Sequence, residues 1–380
     1  MKLNILISAS LLAFLTGCVS KDVYTFEADE TEIRFSSPVV NTLTKGDGWY
    51  GEMGDTYKTE ENFSVWAVYH PETFKGWTNN SITYINRAEC AFDDYDDAST
   101  GEGGWSTFKV SGKYYYWPKS GVLTFAAYSP SKAHNPTPVL GDGTGKIEYG
   151  AAGLTIENFS VNSDITKQQD LMYSKRSYNR TYSNVGDNDE YDGVDLEFQH
   201  ALSSIKFKVQ KKAAYTGYTI TLKSISLENI NYKGSFAENI QNETSDVYDS
   251  KPKWTPTDEF DESDGLDDLT NYMIYNSSLE ITEAATDTDD VKYHTISQGA
   301  ILLPQTFGES DTALIRVNYT IKPTSMPEIS QTATIPLNKL SEGWVIGKRY
   351  TYNISIGYDT ITISPTVIGW EDVNGDVAVN

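Results

Sequence analysis

The chain has 380 residues, and 53 aspartates and glutamates against 30 lysines and arginines give it a net charge of −23 and a pI of about 4.5. That balance excludes nucleic acid and anionic lipid headgroups as partners, because both would repel it. The length suggests two or three domains, and 26 tyrosines move the expectation toward β-structure, where tyrosine fits a pleated, half-buried surface.

The first element is a signal peptide. Lys2 gives a short positive start, and Leu3 to Leu15 is mostly apolar, the length of a signal-peptide core. It is short of the ~20 apolar residues that a membrane span needs. Leu15-Thr16-Gly17-Cys18 resembles the bacterial lipobox, in which the cysteine becomes the lipid-bearing first residue after cleavage. The competing reading is an ordinary secretory signal with an incidental cysteine. Cys18 is one of only two cysteines, and its spacing from the apolar run favours lipidation, with residues 1–18 removed or modified. More than one acyl chain (palmitate or its like) anchors a protein stably, so the expected location is the outer membrane of a Gram-negative cell. Once Cys18 is lipidated, only Cys90 remains as a thiol, and no internal disulfide can form. Glu89, Asp93 and Asp94 surround Cys90 and would not favour a thiolate, so it is expected to pack as a small apolar residue.

Residues 19–45 read as an acidic tether followed by a strand, "EIRFSSPVV", interrupted or ended near Pro38. The next stretch, "NTLTKGDGWYGEMGDTY", is a Gly-rich loop. "FSVWAVYH" is apolar on both parities and predicts a buried central strand. "KYYYWPKSGVLTFAAYSP" predicts two strands joined by a turn at Pro118–Gly121. "DITKQQDLMYS" predicts a helical turn or two. Regular alternation begins after Gly186–Gly193, which suggests a first domain over 46–192 and a second over 193–380. In the second, Ile205, Phe207 and Val209 share one face of a strand and Lys206 and Lys208 the other. Ile315, Val317, Tyr319 and Ile321 repeat the pattern, as do Tyr350, Tyr352, Ile354 and Ile356. These predict half-buried antiparallel strands. "TITLKSISLENI" changes phase, which predicts a bulge near Lys223–Ser224.

No enzyme chemistry assembles from these residues, and no catalytic residue, metal ligand set or cofactor site is assigned. His70, His134, His200 and His294 are the only histidines, and none pairs with another His or a Cys at metal-ligand spacing. "GDGTGKIEY" lacks the phosphate-loop spacing and reads as a glycine turn. "DNDEYDGVDLE" is acidic but out of register for a calcium loop. Trp105, Tyr114, Tyr115, Tyr116 and Trp117 suggest a sugar-stacking platform, but successive strand residues point to opposite faces, so packing is the better reading.

Taken in order, the lipobox, "NTLTKGDG", "FSVWAVY", "YYYWPKSGVLTFAAYSP", "DLMYSK", "VDLEFQHALSSIKFKV", "GAILLPQTF", "LIRVNYTI" and "WVIGKRYTYNISI…VIGW" resemble the fimbrillin family, the Mfa-like type V pilins. The resemblance implies two antiparallel β-sandwich domains of transthyretin-like topology. It implies export as a lipoprotein and removal of an N-terminal segment by an Arg- or Lys-specific protease. Of the two basic residues that could be the cut site, Lys45 is favoured over Arg34, because Lys45 lies in a loop with Gly46, Asp47 and Gly48 and Arg34 inside the expected strand. It also implies that a strand from another pilin subunit fills the groove left behind. The adhesion target is not implied. After Trp370 the sequence reads "EDVNGDVAVN", thin for a long donor strand. This suggests a tip or accessory subunit, or "TITISPTVIGW" as a detachable donor. The alternatives are a permanently anchored glycan-binding lipoprotein and, less favoured, a glycoside hydrolase.

Overall fold

The computed structural model describes residues 28–35, 39–40, 63–78, 80–93, 104–108, 115–131, 146–185, 193–212, 217–244, 247–256, 269–281, 293–296 and 299–370. The expectation of an all-β chain is met: regular structure among these residues is strand, apart from three short 3-10 turns. One of the turns, Ile165–Lys167, falls in "DITKQQDLMYS", where Asp164 caps it by accepting from Thr166 N. The glycine-turn and calcium-loop segments before Lys146 and around Asp187–Asp192 lie largely outside the described residues.

The N-terminal half is built on a nine-stranded sheet. Its order runs Arg34–Phe35, Gly104–Phe108, Ile82–Asp93, Phe63–His70, Val122–Ser129, Met172–Ser174, Glu197–His200, Val39–Val40, with Ser177–Arg180 pairing Val122–Ser129 off this path. The two ends of the order, Arg34–Phe35 and Val39–Val40, belong to one short stretch of chain. The hydrogen-bond ladder therefore closes on itself through the N-terminal segment, and closure removes the free edges that an open sheet would present. The strand Phe63–His70 is central and buried on both faces, as its unbroken apolar run predicts. Val65 and Ala67 point into the closed interior with Leu123, Phe125 and Phe198. Trp66 and Val68 point outward, and with Ala126, Tyr128 and Tyr173 they pack against a second sheet.

That second sheet runs Lys253–Pro256, Lys233–Ala237, Gly153–Ser160, Ile147–Gly150. Two of its four strands come from beyond residue 193, so sheet pairing crosses the expected division at 192/193. Alternation along a strand tells which face is buried, not which sheet the strand joins. The crossing is fixed by Glu238, which is fully buried and accepts from Leu154 N at 2.6 Å and from the Tyr248 hydroxyl. Burial of Tyr248, and after it the neighbouring Glu238 charge, push the Tyr248 hydroxyl pKa up. The expected hairpin over Tyr116–Ser129 also resolves differently. Gly121 turns the chain at φ +78°, but Tyr116–Pro118 pairs with Ala28–Glu32 instead of with Val122–Ser129.

The C-terminal half is a stack of two sheets. One contains His294–Thr295, Ser203–Lys211, Lys348–Ile356 and Ile361–Gly369, with Ala300–Leu302 also pairing Ser203–Lys211; the other contains Leu269–Ile281, Tyr218–Asn231, Leu314–Pro323 and Ile329–Pro336. Ile205, Phe207, Ile315 and Val317 are all fully buried, and Lys206 is half-buried on the opposite face. The phase change in Tyr218–Asn231 is a register shift between Leu222 and Ser224 against both neighbours. One expectation fails. Ser203–Lys211 and Lys348–Ile356 pair parallel over eight positions, from Ser204↔Arg349 to Lys211↔Ile356. The chain between them supplies the long crossover that parallel pairing requires. Glu197–His200 also pairs parallel with Val39–Val40.

Candidate functional site

The closing stretch of the N-terminal sheet is the candidate site. Ala28–Glu32 runs antiparallel to Tyr116–Pro118. Ile33 N donates to Tyr115 O at 2.8 Å. Arg34 and Phe35 pair antiparallel with Ser106 and Trp105. On the other edge Val194 N donates to Arg34 O at 2.8 Å, and Phe35 bridges Val194 in parallel sense. The segment is thus hydrogen-bonded on both edges, a central stave and not an edge strand.

Period-two alternation sends Ile33 and Phe35 inward and Arg34 outward. Ile33 and Phe35 are both 0% exposed. Phe35 meets Phe63 edge-on at 5.6 Å and Phe125 at 5.5 Å, with ring planes 86° and 89° apart. These T-shaped contacts add to the area that Phe35 buries. The seat is completed by Trp117, Ile85, Cys90, Leu123, Leu196 and Phe198. Arg34 stays half-buried beside Glu32, its Nε 3.9 Å from Oε2. Its peptide carbonyl is committed to Val194, and its neighbours on both sides are buried. Lys45 and Cys18, the other residues singled out in the sequence, lie outside the described residues.

A fimbrillin-like family model matches residues 53–370. The chain belongs to the fimbrillin-like family. Among solved structures, a fimbrial protein from Bacteroides vulgatus superposes with TM-score 0.56 at 18% identity, covering 89% of this chain and 99% of that one. A fimbrial protein from Bacteroides ovatus reaches TM-score 0.33 at 11% identity, over 88% of this chain and 51% of its own. The tip fimbrial protein Mfa3 from Porphyromonas gingivalis reaches 0.32 at 10% identity, over 82% and 94%. The first of these shows a shared fold. No curated protein sequence matches the chain.

In this fimbrillin-like chain the aromatic run splits as strand geometry requires. Trp117 is buried in the seat, 6.0 Å from Phe125, while Tyr116 is exposed. The side chains of Trp105 and Tyr114 lie outside the described residues. Cys90 is buried and free, and burial pushes its thiol pKa well up. Its thiol therefore reports on the seat. In a Cys18→Ala chain, Cys90 should react with an aromatic disulfide reagent only slowly while the N-terminal segment is in place. Cutting the segment and stripping it out should raise the rate by orders of magnitude. Equal rates would mean that the segment does not cover this interior.

Sequence reasoning missed a second cluster, at the joint between the two halves. His200 Nδ1 is hydrogen-bonded to Asp170 Oδ2, and both side chains are buried. Trp370 stacks on the His200 ring with centroids 4.0 Å apart and planes 5° apart. Burial pushes the Asp170 carboxyl pKa up, against the opposing pull of His200. The chain on either side is held as well: Trp254 Nε1 donates to Ala201 O at 2.6 Å, Ser203 Oγ to Val345 O at 2.8 Å, and Gln168 Oε1 accepts from Ile301 N at 2.7 Å. The three residues are far apart in sequence, so no local pattern announces them. Their arrangement is a structural rivet. Among the described residues, no group of three or more His, Cys, Asp and Glu is placed to hold a metal ion.

Proposed function

We propose that the protein is a structural, tip or accessory subunit of cell-surface fimbriae with a role in adhesion. In this reading Cys18 carries the lipid that holds the precursor at the outer membrane. An Arg- or Lys-specific protease then removes the N-terminal segment, and a strand from another pilin subunit takes its place. Family membership supports the fimbrial role. The observation that carries the assembly step is the seat of Ile33 and Phe35. A stave hydrogen-bonded on both edges, with two fully buried side chains, leaves both an unpaired ladder and an apolar slot when it goes. An incoming strand restores both at once.

The same seat favours Lys45 over Arg34 as the cut site. A protease needs extended, unpaired backbone, and cleavage concentrates in exposed loops. Arg34 is laddered to Ser106 and Val194, and a cut there would leave Phe35 in place. A cut after Lys45 releases the whole stave with its lipid. The test is N-terminal sequencing of protein sheared from the cell surface. The expected first residue is Gly46. Sheared polymer that still begins at lipidated Cys18 would overturn the processing step and favour a permanently anchored glycan-binding protein.

A further inference from the structure

The edges of the C-terminal stack are not alike. One sheet ends in the short strands His294–Thr295 and Ala300–Leu302 on one side and in Ile361–Gly369 on the other; the second sheet ends in Leu269–Ile281 and Ile329–Pro336. An open edge presents a row of outward N–H and C=O groups, and it pairs with another strand unless something blunts it. The first edge is blunted by the brevity of its strands, of two and three residues. Ile361–Gly369 has Pro365 at its centre, and proline cannot donate to a ladder. Leu269–Ile281 carries Glu280 and is broken by three shifts of register against its neighbour. Ile329–Pro336 has none of these devices. It pairs with Leu314–Pro323 over eight consecutive positions without a shift. It holds no charged residue, its one proline is the last residue, and most of its length is exposed. Among the described residues, no strand pairs its other side.

We propose that Ile329–Pro336 is an interaction surface for the same strand of a second copy, joined antiparallel about a two-fold axis at Thr332. The stretch Ile329-Ser330-Gln331-Thr332-Ala333-Thr334-Ile335 is nearly palindromic about Thr332. Two-fold pairing there sets Thr332 opposite itself, Ser330 opposite Thr334, Gln331 opposite Ala333 and Ile329 opposite Ile335. Each of these pairs lies on a single face of the sheet, as ladder geometry requires. Ser330, Thr332 and Thr334 share the outer face with their partners Thr320, Asn318 and Arg316, and hydroxyl pairs are favourable across strands. Ile329 and Ile335 share the core-facing side with Ile321 and Ile315. Ile329, 38% exposed in the single chain, gains an aliphatic neighbour. No like charges meet in this register, although each chain carries a net −23. The edge is also held in order beforehand: Thr332 Oγ1 donates to Asn318 Oδ1 at 2.8 Å, and Asn318 Nδ2 to Ser224 Oγ at 2.8 Å. A strand fixed in this way loses little freedom on pairing. The contact is isologous and closes on itself, so it ties two chains side by side and does not extend a fibre. It is independent of strand replacement in the N-terminal sheet.

The test uses the Cys18→Ala chain, in which buried Cys90 is the one remaining thiol. Sedimentation velocity should show a monomer–dimer equilibrium that tightens with added salt, because both partners are strongly acidic. Ser330→Lys with Thr334→Lys sets lysine against lysine across the axis and should weaken the dimer about 10-fold or more. Ser330→Lys with Thr334→Glu sets lysine against glutamate and should restore it. Thr332→Cys should cross-link two chains in oxidised glutathione, because its two copies face each other. Ser330→Cys should not, because its copies stand about 14 Å apart, four residues along the ladder. A chain that stays monomeric at every concentration, a dimer that the lysine pair leaves intact, or equal cross-linking from positions 330 and 332 would overturn the proposal.

Discussion

Phe207→Ala is expected to destabilise the C-terminal sandwich by about 3–5 kcal/mol, while Lys206→Ala should change stability by about 0.5 kcal/mol or less. Phe207 is fully buried on Ser203–Lys211, at the middle of its sheet. Its ring lies 5.5 Å from that of Tyr352, planes 27° apart. Tyr352 in turn accepts from Trp344 Nε1 at 2.9 Å, and burial drives its hydroxyl pKa upward. Removing the Phe207 ring therefore leaves a void beside a hydroxyl whose position is fixed by its partner, so little relaxation is available. Lys206 is half-buried on the other face and contributes little to that core. The measurement is a urea titration of each variant, with amide exchange across 203–211 to localise the loss. Similar midpoints for the two variants would mean that the strand is rotated by one residue.

Replacing both Lys45 and Arg34 with alanine should abolish the high-mass ladder on an unboiled gel and leave a folded monomer. On the proposed function, the stave stays in place when neither basic residue can be cut, and an occupied seat accepts no donor. The single variants separate the two sites. Lys45→Ala alone should remove most of the ladder, because Arg34 lies within paired backbone. Arg34→Ala alone should leave it largely intact. Loss of the Glu32 contact, which is long and partly solvated, has a small energetic effect. A double variant that still forms ladders would eliminate strand replacement by this route.

Much of the C-terminal half was legible because one face is wet. Ile205, Phe207, Ile315 and Val317 alternate with polar neighbours, and a one-residue slip would bury the latter, so register is written in the sequence. The break in that alternation at Lys223 marked a real shift in pairing. Partnership was not legible. Nothing in "SSIKFKVQ" says that its neighbour is "KRYTYNISI", or that the two run parallel. The division at 192/193 followed a change in texture, yet Lys233–Ala237 and Lys253–Pro256 pair across it. In the candidate site, "EIRFSSPVV" was read as a strand. That its Ile33 and Phe35 close a ring depends on Tyr115, Trp105 and Val194, which no spacing within the segment encodes. The Asp170–His200–Trp370 cluster was hidden for the same reason.

The parallel pair has a consequence for how the chain is made. Ser203–Lys211 emerges well before its neighbour Lys348–Ile356, with the whole of the other sheet of that half between them in the chain. The middle of that sheet therefore cannot form until the chain has been synthesised as far as Ile356, and loops that long are slow to close. A polypeptide bound for export must stay unfolded long enough to be threaded across a membrane. On the proposed function the chain is exported, and the delay is built into its strand order: the C-terminal half cannot complete its core before Lys348–Ile356 is available.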